Sequence, residues 1–420
     1  MRILFVSNYF PGDLGPLARA LGAESGNEVL FASNRQRRDF ALPGVRRVRL
    51  KNFPPLFDDG AATAPRLWEQ ALARGAGGLR SLHSLRDSWG MPDIVFASLA
   101  AGAAFFAPQA FPDAFFVTYA ESGLKNYSLL PAESRNAWAV MQGALFLQGN
   151  LCFAFSEEER GQFPPKLRPA IRLLPPCVDT DTFSRAAAEL WAPGERAAAG
   201  GADSPLLTLN TIGAGGHALA ALLGVARAVL RALPACQVVM LTENKGRSHA
   251  LGTACASWPA DWRGRFAVYD SLPFLRYRDL LAASSLLVCA GRGETGVRAM
   301  LQAMSCETLL MAPADAASFL RPGLNMLALP PLWSGAPGSA AAEGRNGASS
   351  GAAITVAAEA VLAALHSRRH TGARPSPQGR TARRNVLAHF SEATVVPGHR
   401  AGVMQAWSAW KQERDRHGVN

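Results

Sequence analysis

The chain has 420 residues, 49% hydrophobic and 18% charged, enough for two ordinary domains that each bury their own core. Its formal net charge of +11 comes almost wholly from arginine, because lysine stands only at Lys51, Lys125, Lys166, Lys245 and Lys411. A basic balance suits anionic ligands such as nucleotide diphosphates, or an anionic membrane face, but no basic block interleaved with aromatics argues for nucleic acid.

The six cysteines, Cys152, Cys177, Cys236, Cys255, Cys289 and Cys306, have no metal-ligand spacing and sit mostly among apolar residues, as the reduced thiols of a cytoplasmic protein do. The opening MRILFVSNYFPG is too short an apolar run for a signal peptide and lacks a small-residue cleavage site. The later apolar stretch 99–117 is broken by Pro108, Pro112 and Asp113, so it does not span a bilayer. The expectation is a cytoplasmic, bacterial-type protein, with peripheral contact to the inner membrane face left open.

In chain order, residues 2–7 (RILFVS) form a continuous apolar run of the kind buried on both faces in a parallel sheet. A loop with Pro11, Gly12 and Gly15 leads into an amphipathic helix through Leu17, Ala20 and Leu21, and 28–32 is a strand again. This is a βαβ opening, with Gly12 and Gly15 placed where backbone can approach a phosphate or a sugar, or where they merely shape a turn. Alternation in 44–50 marks an edge strand, 51–65 a loop, and 66–86 a helix carrying His83. Strands follow at 92–98 and 111–122, then a helix at 136–147. In 150–164 a strand precedes Ser156, an N-cap in capping-box spacing with Glu159. The turn CVDTDTF closes the first domain at 190; its Asp179 and Asp181 are turn formers, and 184–204 reads as a linker rich in Ala, Gly and Glu.

The second domain, 206–395 after a linker over 191–205, opens with a strand at 206–210, a glycine loop at Gly213, Gly215 and Gly216, and a helix at 218–233. Strands at 237–244, 285–290 and 306–313 alternate with helices, and 324–330 is a short edge. Residues 334–351 are low-complexity Gly, Ala and Ser. Helices at 354–367 and 380–390 end this domain, and a last helix in 396–420 is expected to pack back on the first. Alternating strands and helices give an α/β chain with two doubly wound, Rossmann-like halves and a cleft between them. Its sharpest local signal is GRGETGVRAMLQAMSC at 291–306, a glycine-spaced loop between a buried strand and a helix, with a carboxylate at Glu294. Free backbone N–H groups and the helix dipole converge at such a place to hold phosphates.

Five stretches, ILFVSNYFPG, FPDAFFVTYAE, CVDTDTF, LPFLRYRDLLAASSLLVC and ETGVRAMLQAM, come in the order found in glycosyltransferase family 4, and the chain resembles that family of GT-B enzymes. The resemblance implies a retaining transferase that moves a sugar from a nucleotide diphosphate sugar to an acceptor hydroxyl on a glycan, lipid-linked or protein substrate, with no metal. The family helix begins with two acids eight positions apart, one near the donor sugar and one gripping the ribose; Glu294 matches the first and Gln302 replaces the second. An amide has one acceptor oxygen where a carboxylate has two with charge, so donor affinity should drop by about 1 kcal/mol. Gly293, Thr295 and Gly296 complete this loop, and Glu121 matches an acidic position of related sequences. The basic pair that the family places near the loop holding Gly213 is absent; Lys245 and Arg247 in the following loop can reach the same phosphates or lie solvated. The family histidine near Ser98 is missing, and Glu307 stands where a glycine usually ends the helix. These departures keep a second reading open, a GT-B homologue that binds a glycan, nucleotide or partner without catalysis.

Overall fold

A computed structural model describes residues 1–36, 39–51, 63–98, 102, 104–120, 132–191, 204–212, 216–242, 245–291, 293–330, 347–371 and 375–417. The chain divides into two compact units, Met1–Cys177 together with Glu392–Asn420, and Val178–Ser391.

The first unit holds seven parallel strands, β1 (Arg2–Phe10), β2 (Glu28–Gln36), β3 (Val45–Arg49), β4 (Ile94–Ser98), β5 (Phe115–Ala120), β6 (Leu151–Ala154) and β7 (Ile171–Leu173), in the order β3-β2-β1-β4-β5-β6-β7. Helices α1 (Gly15–Gly22), α2 (Ala64–Trp89), α3 (Ala107–Ala110), α4 (Ala132–Phe146) and α5 (Glu157–Gly161) connect them. Ile3, Leu4, Phe5 and Val6 are wholly buried, so β1 is covered on both faces as its unbroken apolar run requires. The box before α5 forms: Ser156 Oγ accepts from Glu159 N at 3.1 Å, and Glu159 Oε2 accepts from Phe155 N at 2.8 Å.

The second unit carries β8 (Leu206–Asn210), β9 (Gln237–Leu241), β10 (Phe266–Tyr269), β11 (Leu286–Cys289), β12 (Leu309–Ala312) and β13 (Leu327–Ala328), all parallel, in the order β10-β9-β8-β11-β12-β13. Its helices are α6 (Gly216–Ala232), α7 (Lys245–Cys255), α8 (Ala260–Arg263), α9 (Phe274–Ala283), α10 (Gly293–Ser305), α11 (Gly347–Thr371) and α12 (Pro377–His389).

Two boundaries differ from the sequence expectation. The first unit ends at Cys177, not 190, because Phe183, Ala187 and Trp191, four residues apart, are buried with α9 and α10 residues of the second unit. Arg185–Leu190 is a short 3-10 helix inside that unit and not a linker. Residues 331–346, most of the low-complexity stretch, lie outside the described residues, and Gly347 already begins α11.

The last helix, α13 (Glu392–Arg416), starts earlier than expected and belongs wholly to the first unit. Val395, Val396, His399, Val403, Trp407 and Trp410 recur at helical spacing and face the apolar cluster that holds α1 and β5. Arg19 with Glu392, Arg400 with Glu24, and Arg414 with Asp113 at 3.0 Å pin its length by ion pairs. His399 Nε2 lies 2.7 Å from the Tyr119 hydroxyl, with the Phe153 ring 4.9 Å away.

Burial pushes the His399 imidazole down from 6.5 to about 4, so it is neutral in the fold. As pH falls below the ordinary value the unfolded chain takes up this proton first, and the stability lost between pH 6.5 and 4 reaches up to about 3 kcal/mol. The gap in melting temperature between wild type and His399→Gln should therefore narrow as pH drops through that window. A gap that stays constant would show that His399 does not titrate in this way.

Candidate functional site

Because the second sheet is parallel throughout, β8, β9 and β11 all release their chains at one edge. Its order runs outward in both directions from the β8 and β11 pair, and ligands of open α/β sheets bind outside the carboxyl ends at such a switch point. Gly291 and the start of α10 lie there.

A set of short contacts holds this exit in place. Asn210, at the end of β8, donates from Nδ2 to Cys289 Sγ at 3.5 Å, and its Oδ1 accepts from Ile212 N at 3.1 Å. Cys289 Sγ in turn faces the carbonyls of Gly291 and Gly296 at 4.0 and 3.9 Å, and burial pushes its thiol up to about 11, so it is an inert packing group. Gly296 packs so closely that a Cβ there would stand 2.5 Å from Gly291 O. The first turn of α10 thus rests directly on the strand exit, with Met300, Leu301 and Met304 buried behind it.

Gly293, Glu294 and Thr295 form the first turn of α10, and Gln302 lies further along the same helix, half-buried. Gln302 Oε1 accepts from the Tyr277 hydroxyl at 3.1 Å, a partner on α9 that sequence reading had no signal to find. Lys245 and Arg247 do not lie in a loop: they open α7, at the exit of β9, in its first turn. There Thr211 Oγ1 bonds Leu241 O at 2.7 Å, and buried Thr242 has no hydrogen-bond partner for its hydroxyl among the described residues. Gly213 and Glu121 fall outside the described residues.

Gly12 and Gly15 belong to the first unit, between β1 and α1. Gly12 takes a left-handed φ of 53°, and a Cβ on Gly15 would meet Pro11 Cβ at 2.6 Å, so both shape a tight strand-to-helix turn at the carboxyl edge of that sheet. His83 sits on α2, half-buried, and Asp179 closes its turn by accepting from Asp181 N, Thr182 N and Thr182 Oγ1 at 3.1, 2.9 and 2.9 Å. Among the described residues no group of three His, Cys, Asp or Glu is gathered as metal ligands, and no helix is long and apolar enough to cross a membrane.

The far end of α10 explains the odd Glu307. Glu307 N bonds Met304 O at 3.1 Å and Thr308 N bonds Ala303 O at 3.0 Å, the pair of bonds of a Schellman motif, and Glu307 has φ 60°. Arg383 on α12 binds the Ser305 carbonyl and Phe183 O at 3.3 Å, and lies 3.9 Å from the Glu307 carboxylate. A cation therefore sits at the negative end of the helix whose positive end faces the strand exits.

Residues 25–127 match the model of the glycosyl transferase family 4 group. No curated protein matches the chain. Solved structures do: sucrose-phosphate synthase from Thermosynechococcus elongatus has a TM-score of 0.64 at 15% identity, covering 97% of this chain and 100% of that one. HepE of Anabaena in complex with UDP and glucose gives 0.60 at 12%, covering 96% and 100%. The catalytic domain of starch synthase IV from Arabidopsis thaliana, bound to ADP and acarbose, gives 0.59 at 12%, covering 97% and 99%. At these identities the structural likeness establishes the fold, which is GT-B, and nothing finer.

Glycine tolerates a φ near 60° without the Cβ clash that Glu307 carries, so Glu307→Gly should stabilise the protein by about 0.5–1 kcal/mol. Urea titration measures it; a loss of stability would mean that the contact with Arg383 outweighs the backbone strain.

Proposed function

We propose that this protein is a glycosyltransferase that moves a sugar from a nucleotide diphosphate sugar to an acceptor hydroxyl, with retention of configuration at the anomeric carbon. The observation that carries this reading is the exit of β11 into α10 at the switch point of the second sheet, with Gly293 and Glu294 in the first helical turn. The family 4 match over 25–127 supports it, as does the likeness to HepE of Anabaena, whose structures hold UDP with glucose and UDP-glucose.

The donor diphosphate would lie against the N–H groups at the start of α10, with Lys245 and Arg247 at the start of α7 adding positive charge. Glu294 would orient the donor sugar, Gly296 lets the helix approach, and Gln302 would meet the ribose. Catalysis would consist of orientation and of stabilising the leaving diphosphate as its bond to the anomeric carbon breaks, so no metal is required of the site.

One observation favours a binding protein without turnover: the single acceptor oxygen of Gln302 is already engaged by Tyr277. Calorimetry with UDP, GDP, ADP and their sugars separates the readings. Binding with turnover is expected; binding without turnover selects the second reading, and no binding by any of them ends the transferase reading. Where turnover is found, Glu294→Ala should abolish it with the fold intact, and unaffected turnover would remove Glu294 from the mechanism. Gln302→Glu should tighten nucleotide binding about fivefold, because a carboxylate can accept from Tyr277 and from the ligand together.

A further inference from the structure

The side chain of Gln302 has one hydrogen-bond partner among the described residues, the Tyr277 hydroxyl, which donates to Oε1 at 3.1 Å. A primary amide carries a single acceptor atom and a single donor atom. With its oxygen engaged, Gln302 presents Nε2, whose two N–H groups have no partner among the described residues.

The direction of this bond is fixed by the packing around it. Tyr277 stands in the first half of α9, and its ring meets Phe183 edge-on, with centroids 6.4 Å apart at 74°. Phe183 is 2% exposed, lies edge-on to Phe274 at 5.5 Å, and its carbonyl accepts from Ser305 Oγ at 2.6 Å. Ser305 closes α10, just under one turn beyond Gln302. Contacts therefore run in a closed circuit from α10 through Phe183 and Tyr277 back to α10, and the hydroxyl is carried on a framed ring.

What the amide presents decides which sugar it can read. The vicinal hydroxyls of a ribose are bound best by a group that accepts from both, as a carboxylate does, or that accepts from one and donates to the other, as an unengaged amide does. Two N–H groups on one nitrogen do neither. They donate to a hydroxyl oxygen, and the 3′-hydroxyl, which ribose and 2′-deoxyribose share, answers them as well as the 2′-hydroxyl. Gln302 is half-buried, so an N–H left over is met by water at little cost.

We infer that Tyr277 is a specificity-determining residue: by engaging the Gln302 oxygen it removes the preference for ribose, so this protein takes 2′-deoxyribonucleoside diphosphate sugars as donors as readily as ribonucleoside ones. This rests on the donor site proposed above, in which Gln302 meets the nucleoside sugar.

Calorimetry of the full chain with matched pairs of nucleotides, UDP and dUDP, GDP and dGDP, ADP and dADP, tests it. In the pair that binds best, the two affinities should agree within about threefold. Gln302→Glu should shift the ratio about tenfold toward the ribonucleotide, because a charged oxygen is then open to the 2′-hydroxyl. Tyr277→Phe keeps the ring against Phe183 and frees the amide oxygen, so the ratio should move the same way by about threefold. A tyrosine that only packs would, when replaced, weaken both members of the pair equally. Should Tyr277→Phe fail to fold, Gln302→Glu decides. A wild-type preference for the ribonucleotide above about tenfold, or a ratio unchanged in either variant, overturns the inference and leaves the transferase reading standing. No binding by any of these nucleotides ends the transferase reading and this inference with it.

Discussion

A parallel sheet buried on both faces leaves its chain no choice about where the loops go. Each strand must be followed by a helix that crosses back over a face, so every strand-to-helix turn emerges at the same edge. The rest of each unit obeys this constraint. Apolar runs such as RILFVS and LLVC have no polar face to spend on solvent, and side chains that can meet a ligand are confined to the strand exits. There the chain places its glycines, because the helix must start almost on top of the strand. Gly296 against Gly291 in the second unit and Gly15 against Pro11 in the first are the same steric solution.

The helix α10 is held from behind with comparable care. Its C-terminal carbonyls meet Arg383, which also binds the turn at 180–183 by way of Phe183 O and Thr180 O. A Cβ on Gly379, one turn earlier on α12, would stand 2.3 Å from Glu307 O, so α12 can approach only because that residue is glycine. The segment CVDTDTF is therefore part of the support of α10, and Phe183 beside Tyr277 carries that support toward Gln302. This accounts for the domain boundary at Cys177: the turn packs with α9, α10 and α12 of the second unit.

The strands and most helices were legible from apolar runs and helical spacing, since burial on both faces writes itself into composition. The capping box at Ser156 and the turn at Asp179 were legible because their partners lie within a few residues. Long-range partners were not. Nothing local to LARGAGG tells that Arg74 meets Asn8, sixty-six residues away, and nothing in RYRDLL tells that Tyr277 meets Gln302. The boundary at 190 was misplaced because a stretch rich in alanine looks like linker until Phe183, Ala187 and Trp191 are seen to share one buried face. Lys245 and Arg247 open a helix although Gly246 stands between them; the preference of glycine against helix is small, and tertiary context overrides it.

Two substitutions, one within α10 and one just past its end, have different physical consequences. At Glu307 the family resemblance points to glycine, and the chain keeps the left-handed geometry while accepting the strain of a Cβ, with Arg383 close by. The backbone shape is preserved although the residue type is not. At Gln302 the side chain itself is what matters, and losing the charge leaves one acceptor oxygen, which Tyr277 engages. A tyrosine hydroxyl that donates to a carboxylate leaves the second oxygen charged and open; donating to an amide, it turns the N–H pair outward in its place. The group presented beyond Tyr277 then changes from acceptor to donor. In the donor site proposed above, a ribose hydroxyl could answer either, but a charge-assisted bond would become a neutral one, and the weight of ligand recognition would fall on the helix start and the basic residues at α7.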